Sequence, residues 1–295
     1  MIENKYLIIH SEGGHGKQIF CTAFIRACAK QYPDHKLIWV TPNDGPAFGN
    51  PYVYRFFVHG QTQYFRDYVN SDTMLCMHDP YKEINHVLRK EHITETWCRM
   101  NNIEYDGSKP ELFINYKEIE TAYEKVQPQN GKPILLFQSH GGMPSQQYTN
   151  KSWYRDMPMP TAQKLVEIFK HDYRIIHLRT PEQPQIEGTE ILENLSMREI
   201  YATFLFSSKR ILIDSFAQHV AAALDQKSTV LWIGNSPKIF GYEENYNIMP
   251  SVQPINDFKK FTYLLQDITG QIQEYPYNTL DIFNIDEIVE SVNKQ

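Results

Sequence analysis

Apolar and polar positions along this chain fall into blocks whose lengths point to their elements. KYLIIH (5–10) is an apolar run of strand length, and a glycine-rich turn follows it. Over 16–31 the apolar residues Ile19, Phe20, Ala23, Phe24 and Ala27 recur at the three-and-four spacing of one helix face. KLIWVT (36–41) reads as a second strand, closed by the turn-rich PNDGPAFGNP. VYRFFV (53–58) and TMLCMH (73–78) add two strands, with helical segments between and after them. PELFINYKEIETAYEKV gives a short extended piece and then a helix ending near Val126.

QPQNGKP (127–133) is a linker candidate, and after it the alternation restarts. ILLFQS (134–139), YRIIHLR (173–179), RILID (210–214) and STVLWIG (228–234) read as strands. Helices are expected at 160–170, 197–207 and over FAQHVAAALD, with helical patterns again at 256–270 and 281–293. No repeat with a period of roughly 20–50 residues is present. Two successive βα series predict an α/β protein made of two doubly wound, Rossmann-like parallel-sheet domains. Their expected bounds are 1–127 and 133–270, with 271–295 a tail whose helix packs back on the first domain. Ligands of such sheets bind beyond the carboxyl ends of the strands. A cleft between the two halves is therefore the expected site.

Composition narrows the class. The chain of 295 residues is 41% hydrophobic and 22% charged, as in a soluble globular protein. A net charge of −6 argues against a protein that lives on nucleic acid. No apolar run reaches the roughly 18 residues of a membrane span, and MIENKY carries no signal-peptide pattern. Cys21, Cys28, Cys76 and Cys98 have no CxxC spacing, so free buried thiols in a reducing compartment, the cytoplasm, are expected. His78, His86 and His92 are too loosely spaced for a metal site and no HExxH occurs, so no metal is expected.

Candidate chemistry begins at HSEGGHGKQ (10–18), a glycine loop between a strand and a helix, where free backbone N–H groups suit phosphate. A Walker A loop would need glycine at Ser11 and a hydroxyl at Gln18 to hold magnesium. A dinucleotide fingerprint would need a third glycine at Ile19, and no acidic residue ends the second strand. What remains is a glycine turn without a ligand, or a loop of Gly13, Gly14, Gly16 and Lys17 facing an inter-domain cleft.

The second half carries RILIDSFAQHVAAALDQKSTVLWIGNSP. A buried strand delivers Asp214 at its carboxyl end, Ser215 and Phe216 open a helix, and His219 lies one turn in. The N–H groups around 215–217, at the positive end of the helix dipole, suit a pyrophosphate, with His219 able to donate to it. The other reading of the same residues is an N-capping Asp214 and a core His219.

DSFAQHVAAALDQKSTVLWIGNSPKIFGY resembles the D-S-G-x-x-H-x-A-A-A-L segment of the bacterial ADP-heptose:lipopolysaccharide heptosyltransferases. ENLSMREIYATFLFSSKRILID, GGHGKQIFCTAFIRACAKQYPDHKLIWVT and GNPYVYRFF are similar to other stretches of that family, so the likeness spans most of residues 5–240. It implies the GT-B architecture and a metal-independent, inverting glycosyltransferase whose donor is a nucleotide-diphosphate sugar, with no cofactor. Carried across, Asp214, Ser215, Phe216 and His219 approach the donor diphosphate, Ser139 and His140 its phosphate or sugar, and Lys151 in NKSWY its phosphates. Glu182 falls where the family binds the nucleoside.

Two departures accompany the likeness. The family's proposed base, an Asp, is Lys17 here, and Phe216 stands where the family has Gly. A protonated lysine is a poor base, so Glu12, His15 or Asp79 is expected to take the acceptor's proton, unless the acceptor itself differs. GGHGKQIF also resembles the GGLGNQ opening of certain fucosyltransferases, and IIHLRTPE their HIRRGD, which makes Arg179 a phosphate candidate. The expectation is sugar transfer to a glycan or lipid-linked glycan, with a modified DNA base also open as acceptor. A sugar-nucleotide epimerase of the same fold and a catalytically degenerate nucleotide-sugar or glycan binder are the alternatives.

Overall fold

The computed structural model describes residues 4–60, 67–127, 131–141, 152–255 and 274–295. Its first half holds β1 (Lys5–His10), α1 (His15–Gln31), β2 (His35–Thr41), β3 (Val53–Val58), β4 (Met74–Cys76), α2 (Ile84–Val87), α3 (Ile93–Met100) and α4 (Tyr116–Val126). The four strands pair in parallel in the order β3-β2-β1-β4. Leu7, Ile8 and Ile9 are buried on the central strand β1, whereas Tyr54 and Arg55 of the edge strand β3 are exposed. That contrast is the one a parallel sheet imposes, since its central strands are covered on both faces.

The second half holds β5 (Ile134–Phe137), α5 (Met159–Phe169), β6 (Arg174–His177), α6 (Met197–Thr203), β7 (Ser207–Ile213), α7 (Phe216–Ala223), β8 (Thr229–Leu231), α8 (Pro237–Phe240), β9 (Tyr246–Ile248) and α9 (Ile285–Asn293). Its five strands are also parallel, in the order β6-β5-β7-β8-β9. Counted within this half the order is 2-1-3-4-5, so the winding reverses between β5 and β7, and such a reversal opens a crevice for ligand. β9 was not foreseen, because a three-residue edge strand has no hydrophobic period to read. The helix expected at 256–270 lies outside the described residues.

The halves join through helices. α1 lies along α7 with the two amino ends together: a Cβ on Gly16 would stand 3.4 Å from Phe216 Cα and 3.1 Å from His219 Cδ2. One buried cluster runs through both halves, including Phe20, Phe24 and Trp97 from the first and Val220, Trp232 and Phe240 from the second. Arg198 of α6 pairs with Glu118 of α4 (Nε–Oε1 2.6 Å) and donates to the Gly45 carbonyl at 2.6 Å. α9 corrects the sequence expectation. Its Ile288 and Val292 pack with Phe169, Ile211 and Leu231 of the second half and not back on the first, because its apolar stripe complements the uncovered face of β7–β9.

Candidate functional site

A pocket opens where the winding of the second sheet reverses. Gln138, His140 and Gly141 reach it from the end of β5, His177 and the following Arg179, Thr180 and Gln183 from β6, and Ser215 and Phe216 from β7. Its other wall is apolar and includes Leu192 and the α6 residues Met197 and Ile200. A mostly apolar cavity with a few converging polar groups is the usual form of a small-molecule site. All of these lining residues belong to the second half. Among the described residues none of the first half is on this lining; α1 packs directly against α7, with Gly16 close to Phe216 and His219.

The polar groups around this pocket are short of partners. Gln138 Oε1, His177 Nδ1, Arg179 Nε and Thr180 Oγ1 are all buried and have no hydrogen-bond partner among the described residues. A buried polar group left unpaired costs about 1–3 kcal/mol, and these four belong to residues that line one cavity. α7 adds backbone donors. Its N-cap Ser215 makes no side-chain cap, whereas α4 and α6 both begin with complete capping boxes. Uncapped N–H groups at a helix amino end attract phosphate.

Of the predicted donor residues, Ser215, Phe216, His140 and Arg179 line the pocket, and Ser139 lies directly behind it, bonded to His140 and His177. Arg179 spends its Nη1 on the carbonyls of Thr180, Pro181 and Gln183, so it ties down its own loop while facing the cavity. Glu182 is exposed in that loop and is not among the lining residues. Lys151 lies outside the described residues.

Two residues of the same block turn elsewhere. His219 is buried between α7 and α1, with Nδ1 2.7 Å from Tyr242 Oη and its ring against Phe20. Burial, and then His92, holds its pKa down at about 3. It is a neutral histidine of the core: one turn into α7, its side chain lies on the face that α1 covers. Asp214 is likewise buried and accepts from Asn235 Nδ2 at 2.5 Å. Burial raises its pKa, and Asn235, Arg155 and Arg89 oppose the rise. Neither residue lines the pocket.

The amino-terminal loop is equally specific in its placements. Gly13 takes φ +96°, which only glycine adopts freely, and this brings Glu12 and Gly13 carbonyls onto the Gln18 amide. Gly14 is the N-cap of α1 and makes no side-chain cap. Lys17 turns inward. It is buried, with Nζ 2.7 Å from Asp79 Oδ1 and 4.4 Å from the centre of the Tyr81 ring. The same Asp79 oxygen accepts the Tyr81 N–H at 3.0 Å. Glu12 is exposed. His15 opens α1 with Nδ1 3.2 Å from Tyr201 Oη, and burial lowers its pKa against the pull of Asp44.

The Lys17–Asp79 pair is unequally solvated, at 3% and 38% side-chain exposure, which gives a testable asymmetry. Asp79→Asn strands a buried ammonium and is expected to cost about 2 kcal/mol. Lys17→Met leaves a half-solvated carboxylate and a thioether among aromatic rings, and is expected to cost under about 1 kcal/mol. Urea unfolding of both variants checks this; equal losses would show that the pair is not buried from one side.

Sequence reading missed His177, Gln138, Thr180 and Asp156. Asp156 holds the Gly141 N–H at 2.8 Å beside the pocket, and burial pushes its carboxyl up to about 6. His177 carried a signal, since it closes a strand whose carboxyl end points to the site. The described residues contain no cluster of three or more metal-ligating side chains and no helix long and apolar enough to cross a membrane.

The sequence matches no family model and no curated protein. Solved structures share the fold over the whole chain. A glycosyltransferase family 9 protein from Veillonella parvula DSM 2008 superposes with a TM-score of 0.73 at 11% identity, covering 100% of this chain and 98% of its own. The E. coli ADP-heptose LPS heptosyltransferase II gives 0.67 at 11% identity, with 98% and 99% covered. The dodecameric iron-containing heptosyltransferase TibC of enterotoxigenic E. coli H10407, in complex with ADP-D-β-D-heptose, gives 0.69 at 12%, with 99% and 76% covered. The two parallel sheets are thus the GT-B arrangement of the heptosyltransferases.

Proposed function

We propose that this protein is a glycosyltransferase that moves a sugar from a nucleoside-diphosphate sugar to an acceptor hydroxyl, with inversion and without a metal. The reading rests on one observation above all: four residues with a buried, unpaired polar atom line an apolar pocket beside an uncapped helix amino end. The nucleoside fills the pocket, and the diphosphate lies across the N–H groups opening α7. The shared fold with proteins whose names specify ADP-heptose supports the donor class.

In the proposed step the acceptor oxygen bonds to the anomeric carbon while the carbon–oxygen bond to the diphosphate breaks. The electron pair leaves on the diphosphate, where helix N–H groups stabilise the growing charge. The hydroxyl proton goes to His15. Among the three candidate bases it combines a neutral ring with a place beside α6, whose Met197 and Ile200 line the pocket. The acceptor is a glycan or lipid-linked glycan. Four buried free thiols fit a reducing compartment, and the cytoplasm is the location this reading takes.

Incubation with ADP-, GDP- and UDP-sugars, with and without EDTA, tests the reading. Slow release of free nucleoside diphosphate, unaffected by EDTA, is expected. An isomerised donor would mark an epimerase, and binding with no turnover a degenerate binder. Loss of activity in EDTA would overturn metal independence.

A further inference from the structure

Ser139 is fully buried between two imidazoles, with Oγ 2.7 Å from His140 Nδ1 and 2.8 Å from His177 Nε2. A hydroxyl has one proton, so it donates to one ring and accepts from the other. Burial lowers both histidine pKa values, that of His177 to about 3 with His140 and Arg179 adding to the effect. Each ring is therefore neutral near pH 7 and carries one N–H.

Only two proton arrangements satisfy both bonds. In the first, His140 Nδ1–H donates to Ser139, Ser139 donates to His177 Nε2, and the His177 proton sits on Nδ1. In the second every bond reverses: His177 Nε2–H donates to Ser139, Ser139 donates to His140 Nδ1, and the His140 proton sits on Nε2. The two rings always share one tautomer, and moving the proton on one moves it on the other. The far end of the chain has no partner among the described residues. His177 Nδ1 is buried and unpartnered, on a pocket-lining residue that is 1% exposed.

We propose that His140, Ser139 and His177 form a tautomer relay whose polarity is set by the nucleoside group that meets His177 Nδ1. The relay rests on the donor-pocket reading above and deepens it. A nucleoside acceptor draws His177 into the Nδ1–H form and makes His140 Nε2 an acceptor. A nucleoside donor does the opposite at both ends. Ser139 is then a positioning residue for the donor, acting through His177.

The test is ¹⁵N-histidine NMR of the full chain, titrated with ADP, GDP and UDP, alongside calorimetric binding. In the complex with the tightest of these, the His140 and His177 rings are expected to report the same tautomer. Ser139→Ala is expected to let the rings differ and to weaken that nucleotide about tenfold, the worth of one well-made buried hydrogen bond. Opposite tautomers in the wild-type complex, or Ser139→Ala binding within about twofold of wild type, would overturn the relay while leaving the donor pocket standing. If none of the three nucleotides binds wild type, the donor pocket itself fails and the relay with it. Should Ser139→Ala not fold, the wild-type spectra decide alone.

Discussion

Ser215→Asp is expected to leave the fold at least as stable as wild type and to cut nucleoside-diphosphate affinity by about two to three orders of magnitude. The two effects have opposite signs because one position serves two purposes. Ser215 is the N-cap of α7, in extended backbone, yet its side chain makes no cap. Aspartate is among the best N-cap residues and complements the helix dipole, so it adds about 0.5 kcal/mol or more. The same carboxylate lies where the diphosphate is proposed to rest. Two like charges some 4–5 Å apart near a protein surface repel by about 3–4 kcal/mol. Calorimetry with the nucleotide that wild type binds, paired with thermal unfolding, separates the terms. A variant that is more stable and binds as before would show that the diphosphate lies elsewhere.

The second large effect concerns the joint between the halves. Gly234 follows β8, donates its N–H to the Tyr154 carbonyl at 2.9 Å and accepts from Arg89 of the first half. A Cβ at this position would stand 2.0 Å from Tyr154 Cδ1 and 2.8 Å from Tyr154 Cα. Tyr154 is buried, and the clash includes its backbone, so no rotamer change relieves it. Gly234→Ala is therefore expected to destabilise by about 3 kcal/mol, at the upper end of overpacking costs. Gly14→Ala is the control, because nothing lies within 4 Å of its Cβ and its φ is −78°. Its unfolding free energy is expected to stay within about 0.5 kcal/mol of wild type. A small effect at both positions would mean that the Tyr154 contact yields easily.

Much of the architecture was legible because its elements are periodic and long. The strand expected at 53–58 is found over Val53–Val58, and the helix expected at 16–31 over His15–Gln31. The pocket-lining Ser215 and Phe216 were legible as well, since a strand ending at a short polar link into a small-residue helix has one usual geometry. His219 was misplaced for the same reason that it stood out. On the helix surface it is one turn from the amino end of α7, but only the approach of α1 at Gly16 decides which face is covered. Lys17 looked like a loop cation, and the carboxylate that buries it, Asp79, comes from a different strand end.

Sequence alone determined the order of the longer elements, the two parallel sheets and the strand ends beyond which such sheets bind ligands, because these follow from local periodicity and from the handed connections of βαβ units. It could not assign the unpaired atoms of Gln138, His177, Arg179 and Thr180, or the proton chain through Ser139, to one place. Those residues are up to 42 positions apart and meet only when β5 and β6 pair in register. Whether a polar atom is satisfied depends on every neighbour the fold brings to it, and that is decided in three dimensions.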